Sequence, residues 1–354
     1  MSAVVVVGAG IAGSSVAYHL ARRGVPVTLL EQGPAPASGV TRNSFAWIGD
    51  SGRRWPGGAK DLRAYVLADH RRLEAELPGV AVRRTGSLTL ADVPDRDLRP
   101  APGQFLVGRS DIAALEPNLR NPPRQALHTP SDAGVDPTGL SRALVASARA
   151  HGATVLHETA VSALRVTGGR VDGVLSSAGF HAAATVVLTA GTGVPELCEP
   201  LSVDLAIAAS PATLARITAP PGLVRTIVAC SDFEVREVRE GDLLLVVPYV
   251  AGGTAPPEEA GHIALRHLRR AFRGSEQCRM WDCRTSRRPM PAHGPVIGYA
   301  TRDRSVYVVV MHSAVTLAPT SDDSSRTNSR PAERSPSCSA AVHVPPEDAS
   351  AKSG

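Results

Sequence analysis

Three glycines near the start of the chain, Gly8, Gly10 and Gly13, have the spacing of a backbone turn that closes around a diphosphate. In such a turn the first glycine permits a tight bend and the second lets a pyrophosphate approach the main chain. The third lets the following helix pack closely on the preceding strand. Ile11 and Ala12 complete the motif and begin that helix, whose first amide groups carry partial positive charge suited to an anion. Glu31, eighteen residues past Gly13 and just before Gln32, stands where a carboxylate can accept hydrogen bonds from an adenosine ribose. A carboxylate there disfavours a 2′-phosphate, so NADP is not expected. The motif itself serves FAD and NAD equally.

These residues need a strand, a helix and a second strand to position them. Residues 4–7 are four consecutive valines, the signature of a strand buried on both faces. A helix is expected to about Arg23, stopped by Gly24, with Ala17 small enough to keep it close to the sheet. Residues 25–30 form the second apolar run. Beyond this βαβ unit, 33–60 read as loop and 61–77 as a helix with Leu62, Tyr65, Val66, Leu73 and Leu77 at helical spacing. Short strands are expected at 80–82 and 87–90, then a proline-rich stretch from 92 to 137. Asp136-Pro137 is a helix start, and the helix it opens carries Leu140, Leu144 and Ala148 on one face. Strands follow at 154–157, 161–166, 171–175, 185–188 and 243–247, the second and third of them joined through Gly168-Gly169. A helix at 258–272 and a strand at 306–310 complete the pattern.

A hydrophobic content of 43% with 20% charged residues fits a globular enzyme of 354 residues, long enough for two domains. The net charge of +5 comes from dispersed arginines, without the blocks that nucleic-acid binding would need. The five cysteines lack a CxxC spacing and read as reduced thiols, neither a disulfide frame nor a metal site. No apolar stretch approaches the length of a membrane span, and the expected location is cytoplasmic.

The sequence resembles the FAD-dependent D-amino acid oxidase superfamily, in the branch that holds glycine and sarcosine oxidases. The resemblance is carried by the N-terminal unit through Glu31, by residues 135–137 with their helix, by 186–191, and by 288–318. It implies FAD as cofactor and a mixed α/β fold. A discontinuous Rossmann-like FAD domain (1–60, 131–202, 276–318) would interleave with a mostly antiparallel β substrate domain (61–130, 203–275). Thr41, Arg42, Asn43 and Ser44 fall in a loop that such proteins place near the pyrophosphate and flavin, and Ala190 and Gly191 in a second cofactor-contacting turn.

The run from Arg287 to Gly298 resembles RP-x-x-x-DG-x-P-x-x-G, whose arginine clamps the substrate carboxylate; here that is Arg288, and His293 stands where aspartate is usual. A guanidinium suits the role because it pairs bidentately with a carboxylate. Cys283 reads as a buried structural thiol, not a flavin attachment point. His312, Ser313, Ala314, Val315 and Thr316 resemble the HSGxTLAP segment, whose amides face the flavin at a helix N-terminus; Ala314 replaces the usual glycine. The implied reaction passes a hydride from the α-carbon of a small amine or amino acid to flavin N5. Water hydrolyses the imine, and oxygen or another acceptor reoxidises the cofactor. The match stops just after Pro319, where relatives continue in an amphipathic helix. Residues 319–354 are rich in serine and proline, are expected to be disordered, and begin as abruptly as an altered reading frame would. A truncated, weakly FAD-binding or inactive member is therefore the alternative, and an NAD-dependent dehydrogenase a further one.

Overall fold

The computed structural model describes residues 2–49, 60–91, 98–247 and 256–321. Ser2–Val7 forms a strand whose valines at 5 and 6 are fully buried, and Ile11–Ala21 follows as a helix. Val27–Leu30 pairs parallel to the first strand, with all four residues buried. Gly24 takes a left-handed φ of +76° between them, the stop expected of it. These pieces build a parallel sheet in the order Val306–Val310, Gly179–Leu188, Ser2–Val7, Val27–Leu30, Thr154–Leu156. The Gly179–Leu188 strand also continues an antiparallel meander with Val161–Thr167 and Arg170–Ser176, which turns at Gly168-Gly169. Pro137–Ala150 packs beside the first helix, capped by Asp136 through a 3.0 Å bond from the Thr138 N–H.

A second sheet of eight strands runs Arg279–Pro291, Ile207–Thr218, Asp242–Val247, Glu234–Arg239, Ile227–Ala229, Ser87–Leu90, Gln125–Thr129, Phe105–Gly108. All its pairings are antiparallel except that of Ile227–Ala229 with Ser87–Leu90. The amphipathic helix Pro257–Ala271 lays Ala264, Leu265 and Leu268 against one face, over Ala215, Ile217, Val235 and Leu245. The opposite face looks toward the half built on the parallel sheet. A small three-stranded sheet, Trp47–Ile48, Ala133–Val135 and Val82–Arg83, joins the two halves.

Several expectations are corrected. The helix expected over 61–77 is two pieces, Lys60–Arg63 and Val66–Glu76, and Tyr65 at the break is exposed. Its buried face, Val66, Leu73 and Leu77, packs into the core under the parallel sheet, so this helix does not belong with the second sheet. The strand Arg279–Pro291, expected in the first domain, pairs with Ile207–Thr218 along nearly its whole length and lies in the second sheet. The proline-rich stretch contains a strand, Phe105–Gly108, and a helix, Arg109–Leu115. The 312–319 segment opens a helix, Ala314–Ser321, with Leu317 and Ala318 fully buried beside Ser15 and His70; the helix expected to be missing beyond Pro319 would continue past Ser321, outside the described residues. Expectations about the tail from 322 onward lie outside the described residues. No described helix is long and apolar enough to cross a membrane.

Candidate active site

The glycine turn is held from three sides. Gly8 has φ +100°, a conformation that only glycine adopts cheaply, and its N–H donates to the Leu30 carbonyl at 2.7 Å. The Thr189 hydroxyl lies 2.7 Å from the Val7 carbonyl and 2.9 Å from that of Gly8, bracing the turn from the next strand. A Cβ on Gly13 would overlap the Gly8 carbonyl oxygen and Thr189 Oγ1, so the helix can approach only with glycine there. Glu31 is buried at the end of the second strand. Its carboxylate accepts from the Ala9 N–H at 2.6 Å and from the Gly33 N–H at 2.8 Å. Each oxygen keeps a lone pair for a further donor. The Ile11 N–H donates to Thr41 Oγ1 at 3.1 Å, which docks the one-turn segment Val40–Asn43 onto the helix N-terminus.

From this turn a cleft of about 950 Å³, open to solvent, runs between the loop 40–47, the inner face of the second sheet and residues 311–316. Its walls are tied together by specific bonds. Asn43 Nδ2 donates to Ser286 Oγ at 2.7 Å, and Thr316 Oγ1 donates to the Trp47 carbonyl at 2.8 Å. The fully buried Arg236 donates through Nε to the Phe45 carbonyl and through Nη2 to that of Val135, both at 2.6 Å. Burial pushes the Arg236 guanidinium down to about 9, still above neutrality, so it fixes the loop as a cation.

Arg288 enters the cleft opposite Ser210 on the neighbouring strand, with Nη2 3.3 Å from Ser210 Oγ. Its Nε is buried and has no hydrogen-bond partner among the described residues. Burial lowers the basicity of this guanidinium, and the carboxylate of Glu234 opposes the shift. A half-buried cation that lines an open cleft suits a carboxylate ligand.

Of the residues singled out in the sequence, Ile11, Thr41, Asn43, Ser44, Arg288, His312, Ser313, Ala314, Val315 and Thr316 share this cleft. Gly8, Gly10, Ala12, Gly13 and Glu31 form the adjoining turn, with Ala190 and Gly191 beside Gly8. Gln32 and Arg42 are exposed, and Arg42 contributes its carbonyl, to Arg216, rather than its charge. His293 is exposed and does not line the cleft. Cys283 points to the opposite face of the sheet, with Sγ 3.0 Å from the Pro257 carbonyl, as a structural thiol would. Ala314, which stands where glycine is usual, begins the helix, and the left-handed φ of +59° falls on Ser313 beside it. Sequence reading passed over Phe45, Trp47, Glu234 and Val246.

The terminal helix Ala314–Ser321 is anchored by His70, whose Nε2–H donates to the Thr316 carbonyl at 3.2 Å. Burial pushes His70, and likewise His19, down to about 4. The folded state thus keeps both neutral, while the unfolded chain binds protons near the ordinary histidine value. Stability is therefore complete above about pH 6.5 and is lost as pH falls toward 4, by up to ~3 kcal/mol per histidine. Urea unfolding between pH 4 and 7 is expected to show this slope, and His70→Gln to remove about half of it. An unchanged slope in the variant would mean that His70 does not carry the dependence.

The chain matches a family model described as FAD dependent oxidoreductase (DAO) over residues 3–321. It is similar to the uncharacterized oxidoreductase YurR of Bacillus subtilis (27% identical over 227 residues, 58% of this chain and 59% of the relative). It is also similar to a glycine oxidase of Bacillus licheniformis (27% over 210 residues, 56% of this chain and 57% of the relative). Similarity to the mouse mitochondrial pyruvate dehydrogenase phosphatase regulatory subunit reaches 31% over 221 residues, 57% of this chain but 25% of that protein. The chain thus spans from a quarter to about three-fifths of the length of these relatives. In fold it is similar to glycine oxidase from Bacillus cereus, with TM-score 0.79 at 21% identity, covering 91% of this chain and 93% of that one. The iminodiacetate oxidase of Chelativorans sp. BNC1 gives TM-score 0.77 at 20% identity, covering 95% and 98%. A glycine cradle that a single Cβ would fill, a buried ribose-competent carboxylate and an adjoining cleft fit the cofactor that the matched model names. The chain belongs to the DAO family of FAD-dependent oxidoreductases.

Proposed function

We propose that this protein oxidises the C–N bond of a small amine or amino acid that carries a carboxylate. The observation that supports this reading most is Arg288, a half-buried guanidinium that lines the cleft. FAD, when bound, accepts the hydride from the carbon beside nitrogen. The residues of the chain do the rest. Gly8, Gly10, Ala12 and Gly13 would hold the pyrophosphate at the helix N-terminus, and Glu31 the adenosine ribose. Thr41, Asn43, Ser44, Ala190 and Gly191 flank that path. The first amides of Ala314–Ser321, beside His312 and Ser313, direct partial positive charge into the cleft, where negative charge gathers on reduction. Arg288 would take the substrate carboxylate in a bidentate pair and so fix the α-carbon. An amine that arrives neutral supplies the electron pair itself, so no side-chain base is assigned. The imine product is hydrolysed by water, and oxygen or another acceptor restores the cofactor.

The test is anaerobic mixing of FAD-loaded protein with glycine, sarcosine, D- and L-amino acids and, for comparison, simple amines without a carboxylate. Bleaching of the visible flavin absorbance by one or more of the amino acids, with the corresponding oxo acid formed on return of oxygen, is the expected result. Stable flavin colour with every amino acid, or equal bleaching by amines without a carboxylate, would sink the proposal.

A further inference from the structure

One face of the second sheet carries Arg288, Ser210, Ala212, Leu214, Val246 and Glu234. Cross-strand register puts them there: Arg288 lies opposite Ser210, Leu214 opposite Val246, and Val246 opposite Glu234. Arg288, Ala212, Leu214, Val246 and Glu234 all line the cleft. The cleft floor therefore has a cation at one end, an apolar middle and a carboxylate at the other. The two charged strands are separated by two others, so their backbones stand three strand spacings apart, roughly 14 Å in a flat sheet.

The ammonium and carboxylate of an α-amino acid are only two carbons apart, whereas this floor is wider and apolar between its charges. A second consideration points the same way. Removal of hydride from the carbon beside nitrogen needs the nitrogen lone pair, and a carboxylate beside that nitrogen would favour its protonated form, which has none. Glu234 is thus poorly suited to hold the reacting amine and well suited to hold a different nitrogen that stays charged.

We infer that Glu234 is a specificity-determining residue that pairs with a second, non-reacting cationic nitrogen of the substrate, while Arg288 holds its carboxylate and the Ala212–Leu214–Val246 floor supports the methylene chain between them. The substrate class is then a dibasic amino acid of the lysine or ornithine type. The inference rests on the amine-oxidation reading and on Arg288 as the carboxylate clamp.

Two ligands that share a chain length separate the effects without turnover: ε-aminocaproate, with a carboxylate and a distal ammonium, and caproate, with the carboxylate alone. Binding is read from the perturbation of the flavin spectrum in FAD-loaded protein. The wild type is expected to bind ε-aminocaproate about tenfold more tightly, the size of one charge-assisted contact. In Glu234→Gln the preference should vanish through weaker binding of ε-aminocaproate, with caproate unchanged. In turnover, the same substitution should raise KM for lysine about tenfold and leave norleucine and glycine within about twofold. Equal affinity of the wild type for the two ligands overturns the inference, as does a preference that survives Glu234→Gln. Loss of glycine turnover as large as that of lysine also overturns it, because Glu234 would then act on the reacting amine. The parent reading is tested separately by Arg288→Gln, which should weaken both ligands alike. If Arg288→Gln weakens neither, the carboxylate clamp fails and this inference fails with it.

Discussion

Gly13→Ala is expected to purify without FAD and to melt a few degrees below the wild type. The added methyl group has no free volume: it would overlap the Gly8 carbonyl oxygen and the hydroxyl of Thr189. Neither neighbour can yield cheaply. The Gly8 carbonyl belongs to a turn whose φ of +100° already commits it to one conformation, and Thr189 is bonded to both the Val7 and Gly8 carbonyls. Relief requires the helix Ile11–Ala21 to lift from the sheet, which opens the contact made by the fully buried Ala17 and shifts the amides at its N-terminus. Overpacking of this kind costs about 1–3 kcal/mol, which moves the melting temperature by roughly 1–4 °C in a protein of this size. The loss of cofactor should be the larger effect, since the pyrophosphate cradle is the part displaced. Gly24→Ala serves as the control, because its φ is also positive but a Cβ there meets nothing within 4 Å. It should lose about 1 kcal/mol and keep its flavin. The ratio of flavin to protein absorbance, together with a thermal melt, decides the matter. A Gly13→Ala protein with a full complement of FAD would show that the cradle does not hold the cofactor.

The same residues explain what was legible in the sequence. The first thirty positions form a strand–turn–helix–strand unit that is contiguous in the chain, so the valines, the glycines and Glu31 declare strand, turn, helix and ribose acceptor in order. Local reading failed where pairing is distant or one-sided. Phe105–Gly108 is a short edge strand with Phe105 and Leu106 exposed, so it shows no alternation. Arg279–Pro291 is arginine-rich, and only its long partnership with Ile207–Thr218 makes it a strand of the second sheet. The helix break at Tyr65 has no proline or glycine to mark it. Glu234 and Val246 reach the cleft through register between strands, which composition does not encode. One signal was present. In Glu234-Val235-Arg236 the apolar residue faces the core of the second sheet and the two charged ones face inward, and inward charge on an alternating strand marks a site more often than a surface. Arg288 was reachable by resemblance alone, since an arginine beside proline carries no message of its own.

Arg288→Ala should lower kcat/KM for carboxylate-bearing substrates by two to three orders of magnitude, roughly 3–4 kcal/mol, while leaving FAD bound. The estimate follows from what the substitution removes. The wild-type guanidinium has already been desolvated by the strand and loop around it, so its attraction for a carboxylate is less screened than at an open surface. Taking it away leaves a substrate carboxylate in a half-buried cleft without a partner, the costly half of breaking such a pair. The clamp also orients the α-carbon, so the loss should fall on kcat as well as on KM. Arg288→Lys separates charge from geometry: a lysine keeps the positive charge but cannot make two parallel bonds to one carboxylate. It should recover part of KM and little of kcat. Arg287→Ala is the neighbouring control, because that side chain is exposed and outside the cleft, and it should stay within about twofold of the wild type. An amine without a carboxylate should be turned over by Arg288→Ala as slowly as by the wild type. If Arg288→Ala instead slowed both classes of substrate equally, with FAD retained, the residue would be supporting the cleft and not reading the carboxylate.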